Sequence, residues 1–147
     1  MTIDTSGKWW KGSSPLDLDE YLRELGAENY PVSQFRLSTC SCEGVRFTLE
    51  VEQDEGIAKR TCVNCGAEHF ICDSGEYYEP AQQLEKFKCV TCNSEVANVG
   101  VGYALYDDGA AVHWLYVGCR CDNCGVLGSM VDWKVGYAPS LQLMDQA

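Results

Sequence analysis

Apolar and polar residues alternate with a period of two over Phe47, Leu49 and Val51, pause at Asp54-Glu55-Gly56, and resume through Ile57 to Cys62. A second such stretch runs from Val96 to Tyr106, turns at Asp107-Asp108-Gly109 and returns through Val112-His113-Trp114-Leu115-Tyr116-Val117. Alternation bounded by an acidic turn ending in Gly predicts a β-hairpin at each place. Upstream the period changes. Leu18, Tyr21, Leu22 and Leu25 recur at helical spacing behind Ser14-Pro15-Leu16-Asp17, which reads as an N-cap, a Pro at the first helical position and an acid at the third. With Gly26 as the stop, this predicts one amphipathic helix over 15–25, its Leu face laid on the sheet. Val32, Phe35 and Leu37 predict an extended lead-in to the first hairpin. The fold class expected is mainly β, a small α+β chain with one N-terminal helix.

Ten cysteines in 147 residues change this picture, at positions 40, 42, 62, 65, 72, 89, 92, 119, 121 and 124. The amino terminus, Met1 to Trp10, lacks the charged-then-apolar pattern of a secretory leader, so the expected compartment is the reducing cytoplasm. There, close cysteine pairs read as metal ligands before disulfides. Four pairs stand out: Cys40-Ser41-Cys42, Cys62-Val63-Asn64-Cys65, Cys89-Val90-Thr91-Cys92 and Cys121-Asp122-Asn123-Cys124. In the C-x-x-C form a tight turn aims two thiolates at one ion, and Gly66 and Gly125 let the chain leave that turn at positive φ. Two pairs make one tetrahedral site. Zinc is favoured because it takes four thiolates with no geometric demand from d-electrons, although rubredoxin-type iron fits the same geometry.

Shifting the sequence by 59 residues superposes Cys62 on Cys121, Cys65 on Cys124, Asn64 on Asn123, Gly66 on Gly125, Asp73 on Asp132, Tyr78 on Tyr137 and Pro80 on Pro139. These seven identities within positions 62–80 predict an internal repeat. Each copy reads as pair, hairpin, pair, strand.

That order resembles a zinc ribbon, in which two knuckles pinch one ion at the end of a small antiparallel sheet. The resemblance covers residues 40–80 and 89–139, and rests on the cysteine pairs and their β patterning. It implies two fused ribbon-like units, with Cys40, Cys42, Cys62 and Cys65 on one zinc ion and Cys89, Cys92, Cys121 and Cys124 on a second. The first knuckle is one residue shorter than the usual form. The resulting division is an arm, helix and lead-in over 1–39, unit 1 over 40–80, a connector over 81–88 with room for a helical turn, unit 2 over 89–139, and a tail over 140–147. Cys72, in the apolar series with Phe70 and Ile71, reads as a buried thiol. Cys119 could replace Cys121 as a ligand, but the repeat register favours Cys121.

Closed four-thiolate sites leave no position for water or substrate, which excludes the Lewis-acid and hydroxide mechanisms of zinc enzymes. His69 and His113 fall in predicted strands outside any catalytic pattern, and no Gly-rich phosphate loop is present. The expectation is therefore no enzyme. Thiol redox exchange is a weaker alternative, because redox pairs favour a helix N-terminus after a strand. The longest apolar runs fall short of the roughly 20 residues of a membrane span, so no membrane is expected. Eleven basic against 22 acidic residues give a net charge of −11. That balance opposes phosphate and disfavours the competing nucleic-acid-binding reading. The expected role is a structural-zinc, protein-interaction module. Trp9-Trp10 and Asp73-Ser74-Gly75-Glu76-Tyr77-Tyr78 are candidate contacts, against the plainer alternatives of core cover and a turn.

Overall fold

The computed structural model describes residues 3–80 and 83–147. In chain order it holds β1 (Ile3–Asp4), β2 (Lys11–Gly12), α1 (Asp17–Gly26), β3 (Gln34–Leu37), β4 (Phe47–Glu52), β5 (Ile57–Cys62) and β6 (Glu68–Phe70). There follow β7 (Glu85–Lys86), β8 (Ala97–Leu105), β9 (Val112–Cys121) and β10 (Leu127–Lys134), with 3₁₀ turns at Ser74–Glu76 and Leu141–Asp145. Strands β1 and β2 form a small antiparallel pair, and the other eight form one antiparallel sheet. Its main path is β10-β9-β8-β4-β5-β6, with β3 added beside β8 and β7 beside β4. The fold is thus a mostly β, small α+β architecture.

Both predicted hairpins are present, β4-β5 and β8-β9, and each is followed by the expected third strand, β6 or β10. The two meet at Phe47 of β4 and Ala97 of β8, each the residue at which a hairpin emerges from its first knuckle. One cluster of buried apolar side chains draws on both: Phe47, Leu49 and Val51 from β4 join Val99, Val101 and Tyr103 from β8 and Leu115 and Val117 from β9. The period-two pattern is what sends these residues to one face.

The opposite face of β8 and β9 carries Gly100 and Gly118, where a Cβ would stand 2.7 Å from the Phe35 ring and 2.9 Å from Leu22. Bare backbone there lets α1 seat Leu18 and Leu22, both fully buried, directly on the strands. Leu25 departs from the predicted apolar face. It is 41% exposed, its side chain lining a surface hollow with Trp9 and Tyr21 while Leu22 and Gly26 of the same turn are buried on the sheet. The helix also begins later than residue 15. Ser14 and Asp17 bond reciprocally around the turn, the Ser14 N–H donating to Asp17 Oδ2 at 3.1 Å and the Asp17 N–H to Ser14 O at 3.0 Å, while Ser14 Oγ accepts from the Leu16 N–H at 3.4 Å. The first bonds, Asp17 N to Ser14 O and Leu18 N to Pro15 O, span three residues, so regular α-helix starts only at Asp17.

Of the connector over 81–88, Ala81 and Gln82 lie outside the described residues, and the remainder is extended, with β7 paired to β4. Among the described residues no helix is long and apolar enough to cross a membrane.

Candidate metal centres

The four knuckles are hydrogen-bonded turns at the ends of the hairpins. In the second knuckle of each unit, Gly66 N–H donates to Cys62 O at 2.8 Å and Gly125 N–H to Cys121 O at 2.9 Å. The outer bonds correspond as well: Cys62 N to Ala67 O at 3.0 Å and Cys121 N to Val126 O at 2.8 Å, then Val63 N to Arg46 O and Asp122 N to Val96 O, both at 3.1 Å. The strand that follows keeps the same register, Lys59 facing Phe70 as Gly118 faces Ser129. The first knuckles differ by one residue. Asn93 N–H closes on Cys89 O four positions back, whereas Glu43 N–H closes on Cys40 O three positions back, which is how a C-x-C turn reaches the same end point. In all four, the residue after the second cysteine has positive φ: Glu43 at 72°, Gly66 at 77°, Asn93 at 63° and Gly125 at 84°. Gly serves two of these, and the others place a polar side chain in a region that disfavours Cβ.

This geometry gathers Cys40, Cys42, Cys62 and Cys65 into one group and Cys89, Cys92, Cys121 and Cys124 into another, with the sulfurs of each group all within 4.8 Å of one another. Cys40 and Cys65 sulfurs stand 3.4 Å apart and Cys42 and Cys62 3.6 Å; Cys89 and Cys124 stand 3.4 Å apart and Cys92 and Cys121 3.5 Å. A disulfide needs about 2.05 Å, and all ten cysteines are free thiols. Four thiolates at about 2.3 Å from a central ion would be about 3.8 Å apart. The donor set and spacing therefore fit a metal ion in each group.

The surroundings stabilise ionised sulfur unevenly. The Cys42 backbone N–H and the Cys65 sulfur hold the Cys40 thiol down at about 6. At Cys89, burial opposes ionisation but is outweighed by the Thr91 hydroxyl and the backbone N–H groups of Cys92 and Thr91, leaving that thiol also near about 6. Burial acts in the other direction at Cys121, pushed up to about 12. Four thiols without a cation cannot all ionise together, and a divalent ion removes that conflict.

Several neighbours carry no motif signal. Thr91 Oγ1 touches Cys89 Sγ at 3.4 Å and Cys124 Sγ at 3.2 Å. The Asn123 side chain bonds the Cys92 sulfur. Gly44 presses so closely on unit 1 that a Cβ there would stand 3.0 Å from Cys62 Sγ and 3.3 Å from Cys42 Sγ. Arg60, only 6% exposed, reaches the Cys40 sulfur, lies 4.7 Å over the Phe47 ring and donates to Ala147 O from Nε and Nη2 at 3.3 and 3.0 Å. Its counterpart in the 59-residue register is Cys119, so only unit 1 has a buried cation at this place.

Cys72 and Cys119 stand outside both groups and are buried. Burial pushes each thiol up to about 12. The Cys72 sulfur contacts Tyr103 Oη at 3.2 Å and Leu143 O at 3.4 Å, from a backbone at φ 56°. His69 Nε2 bonds Gln146 O at 2.9 Å, and His113 stacks on Tyr106 with ring centres 4.4 Å apart. The predicted contact stretches divide. Trp10 packs against the cluster of Ile3, Leu18 and Leu127, whereas Trp9 is 43% exposed.

Compared with known proteins, the chain matches no family model, no curated protein and no solved structure.

Proposed function

We propose that this protein is a non-catalytic, structural-zinc protein of two duplicated ribbon-like units that acts by contact with another protein. The observation that carries the reading is the convergence of eight cysteines, from four separate turns, into two groups with tetrahedron-like sulfur spacing. Duplication is supported by hydrogen bonds that recur 59 residues apart. Zinc is preferred to iron because the thiolate sets ask for charge and softness and nothing else. Each loaded site carries four thiolates against one divalent cation, and thus adds −2 to the protein's −11. A total near −15 favours a protein partner over nucleic acid. Saturated coordination leaves stability as the metal's contribution: about 10–16 kcal/mol for structural zinc in peptides, comparable with a domain's entire net stability. Thiols kept reduced for this purpose suit the cytoplasm.

Metal analysis after exhaustive dialysis tests the reading, with two zinc ions per chain expected. A ratio near zero in protein whose thiols are reduced would overturn it, and iron in place of zinc would overturn the metal assignment alone.

A further inference from the structure

A groove of about 510 Å³ opens between two sheet edges, the segment from Glu85 to Val90 on one side and that from Val126 to Met130 on the other. It continues past Trp9, Tyr21 and Leu127 into a second hollow of about 280 Å³ beside α1. The floor is apolar and buried: Phe87, Cys119, Val126 and Leu127 are each under 8% exposed. The rim is exposed and apolar, with Trp9 at 43%, Leu25 at 41% and Val90 at 65%. A continuous apolar channel edged by large exposed side chains is the surface character of a binding site.

Both walls are strand edges with unused backbone groups. Phe87 N–H donates inward to Leu49 O at 2.7 Å, so by strand alternation the Lys88 amide faces the groove, and among the described residues neither its backbone nor its side chain has a partner. Opposite, Leu127 N–H points away from β9 and is taken by Trp10 O at 2.8 Å. The arm continues this pairing, with Lys11 bridged to Val126 and Gly12 N–H donating to Gly125 O at 2.8 Å. The arm thus already lies along the β10 edge as an added strand as far as Trp10. Beyond it the same edge runs on past Gly128 to the exposed Ser129, where among the described residues no strand is paired with it, until Met130 O accepts from Gln53 Nε2 at 3.1 Å.

Charge narrows the occupant. In a chain with twice as many acids as bases, Lys8, Lys86 and Lys88 line this channel against Glu24 and Glu85, so its lining is net basic. Lys8 lies over the Trp9 ring and Lys86 pairs with Glu95 at 3.4 Å, which leaves the Lys88 ammonium for a ligand. Tyr21 adds a half-buried hydroxyl that has no hydrogen-bond partner among the described residues, at the junction of the two hollows.

We infer that this groove takes an extended segment of a partner protein as an added β-strand, with apolar side chains on the Phe87–Leu127 floor and a carboxylate on Lys88. The inference rests on the protein-contact reading above and supplies its surface. Strand addition draws affinity from main-chain hydrogen bonds and specificity from alternate side chains, and the two walls offer both.

The test uses the zinc-loaded full chain with ¹⁵N labelling and a short acetylated, amidated peptide alternating Val and Thr around a central Glu. Saturable shifts are expected at the amides of Lys86, Lys88 and Ser129. Exchanging the central Glu for Lys should weaken binding by about two- to fivefold, as an exposed ion pair gives, and Lys88→Glu should reverse that order. N-methylation of the peptide backbone should abolish binding. Absence of shifts in this groove, equal affinity for the Glu and Lys peptides, or indifference to N-methylation would overturn the inference. So would shifts of the same amides on simple dilution, which would assign the groove to a second copy of this chain. Zinc content of the same sample separates the two failures: a silent groove in protein holding two zinc ions sinks only the groove.

Discussion

The indole N–H of Trp133 donates to the carboxylate of Asp73 at 3.0 Å, tying β10 of unit 2 to the 3₁₀ turn that closes unit 1. Tyr137 Oη donates to the other oxygen of the same carboxylate at 2.8 Å. Asp73 is the N-cap residue just before that turn, yet its side chain makes no cap bond. Its counterpart Asp132 likewise accepts an indole N–H, from Trp114 at 2.8 Å. These repeated aspartates therefore hold tryptophans and cap no turn.

Asp73→Asn keeps the shape but removes the charge and one of the two acceptor oxygens that serve Trp133 and Tyr137, at a site that is 5% exposed. Hydrogen bonds to charged groups contribute about 1.5–3 kcal/mol each at most, so a loss of about 1–3 kcal/mol is expected. Urea unfolding would register it as a lower midpoint at unchanged slope. Burial and then the Asp73 carboxylate push the Tyr137 phenol up, so the same variant should lower its ultraviolet titration midpoint.

The two metal groups share no ligand, so they should empty one at a time. Cys89→Ser should leave one zinc ion per chain, held by unit 1, and Cys62→Ser should leave one held by unit 2. Either variant should unfold at clearly lower temperature, since each removes an ion that contributes folding free energy directly. Native mass spectrometry reads the stoichiometry, and a variant still carrying two ions would refute the grouping.

Gly56 closes the β4-β5 hairpin at φ 76°, and a Cβ there would stand 2.9 Å from Trp133 Cβ. Gly109 closes the β8-β9 hairpin at φ 70° with nothing within 4 Å. Gly109→Ala should cost about 1–2 kcal/mol for the left-handed backbone alone. Gly56→Ala should cost about 1–3 kcal/mol more, from displacing the indole. Equal losses in parallel chemical denaturation would show that Trp133 yields freely.

Cys72 keeps its proton when folded, its thiol raised to about 12 from an ordinary 9.0. Between those values the unfolded chain has released a proton that the folded chain retains, so stability falls as pH rises above about 9. Below 9 both states are protonated and this group adds no slope. Cys72→Ala should flatten the decline between pH 9 and 10.5 in urea titrations, whatever it costs at neutral pH.

Local covalent pattern was enough to determine the hairpins, the knuckles and the helix, because each depends on residues close in sequence. Period-two alternation around Asp54-Glu55-Gly56 and Asp107-Asp108-Gly109 marks strands wherever they end up, and Cys-x-x-Cys brings its two sulfurs together within a single turn. The helix start moved from Pro15 to Asp17 because the Ser14–Asp17 bonds make a tighter first turn than a cap would. What the residues could not state is which sheet edges meet. The Phe47–Ala97 junction, the Asp73–Trp133 bond and Arg60 beside Cys40 join positions far apart in the chain, and nothing in their spacing announces it. The groove between Lys88 and Ser129 is of the same kind, a gap left where one sheet bends around a shared core. Short-range pattern settles what each segment is. The burial of two hairpins in one core, a long-range balance of area and shape, settles where each segment lies and so what the surface offers a partner.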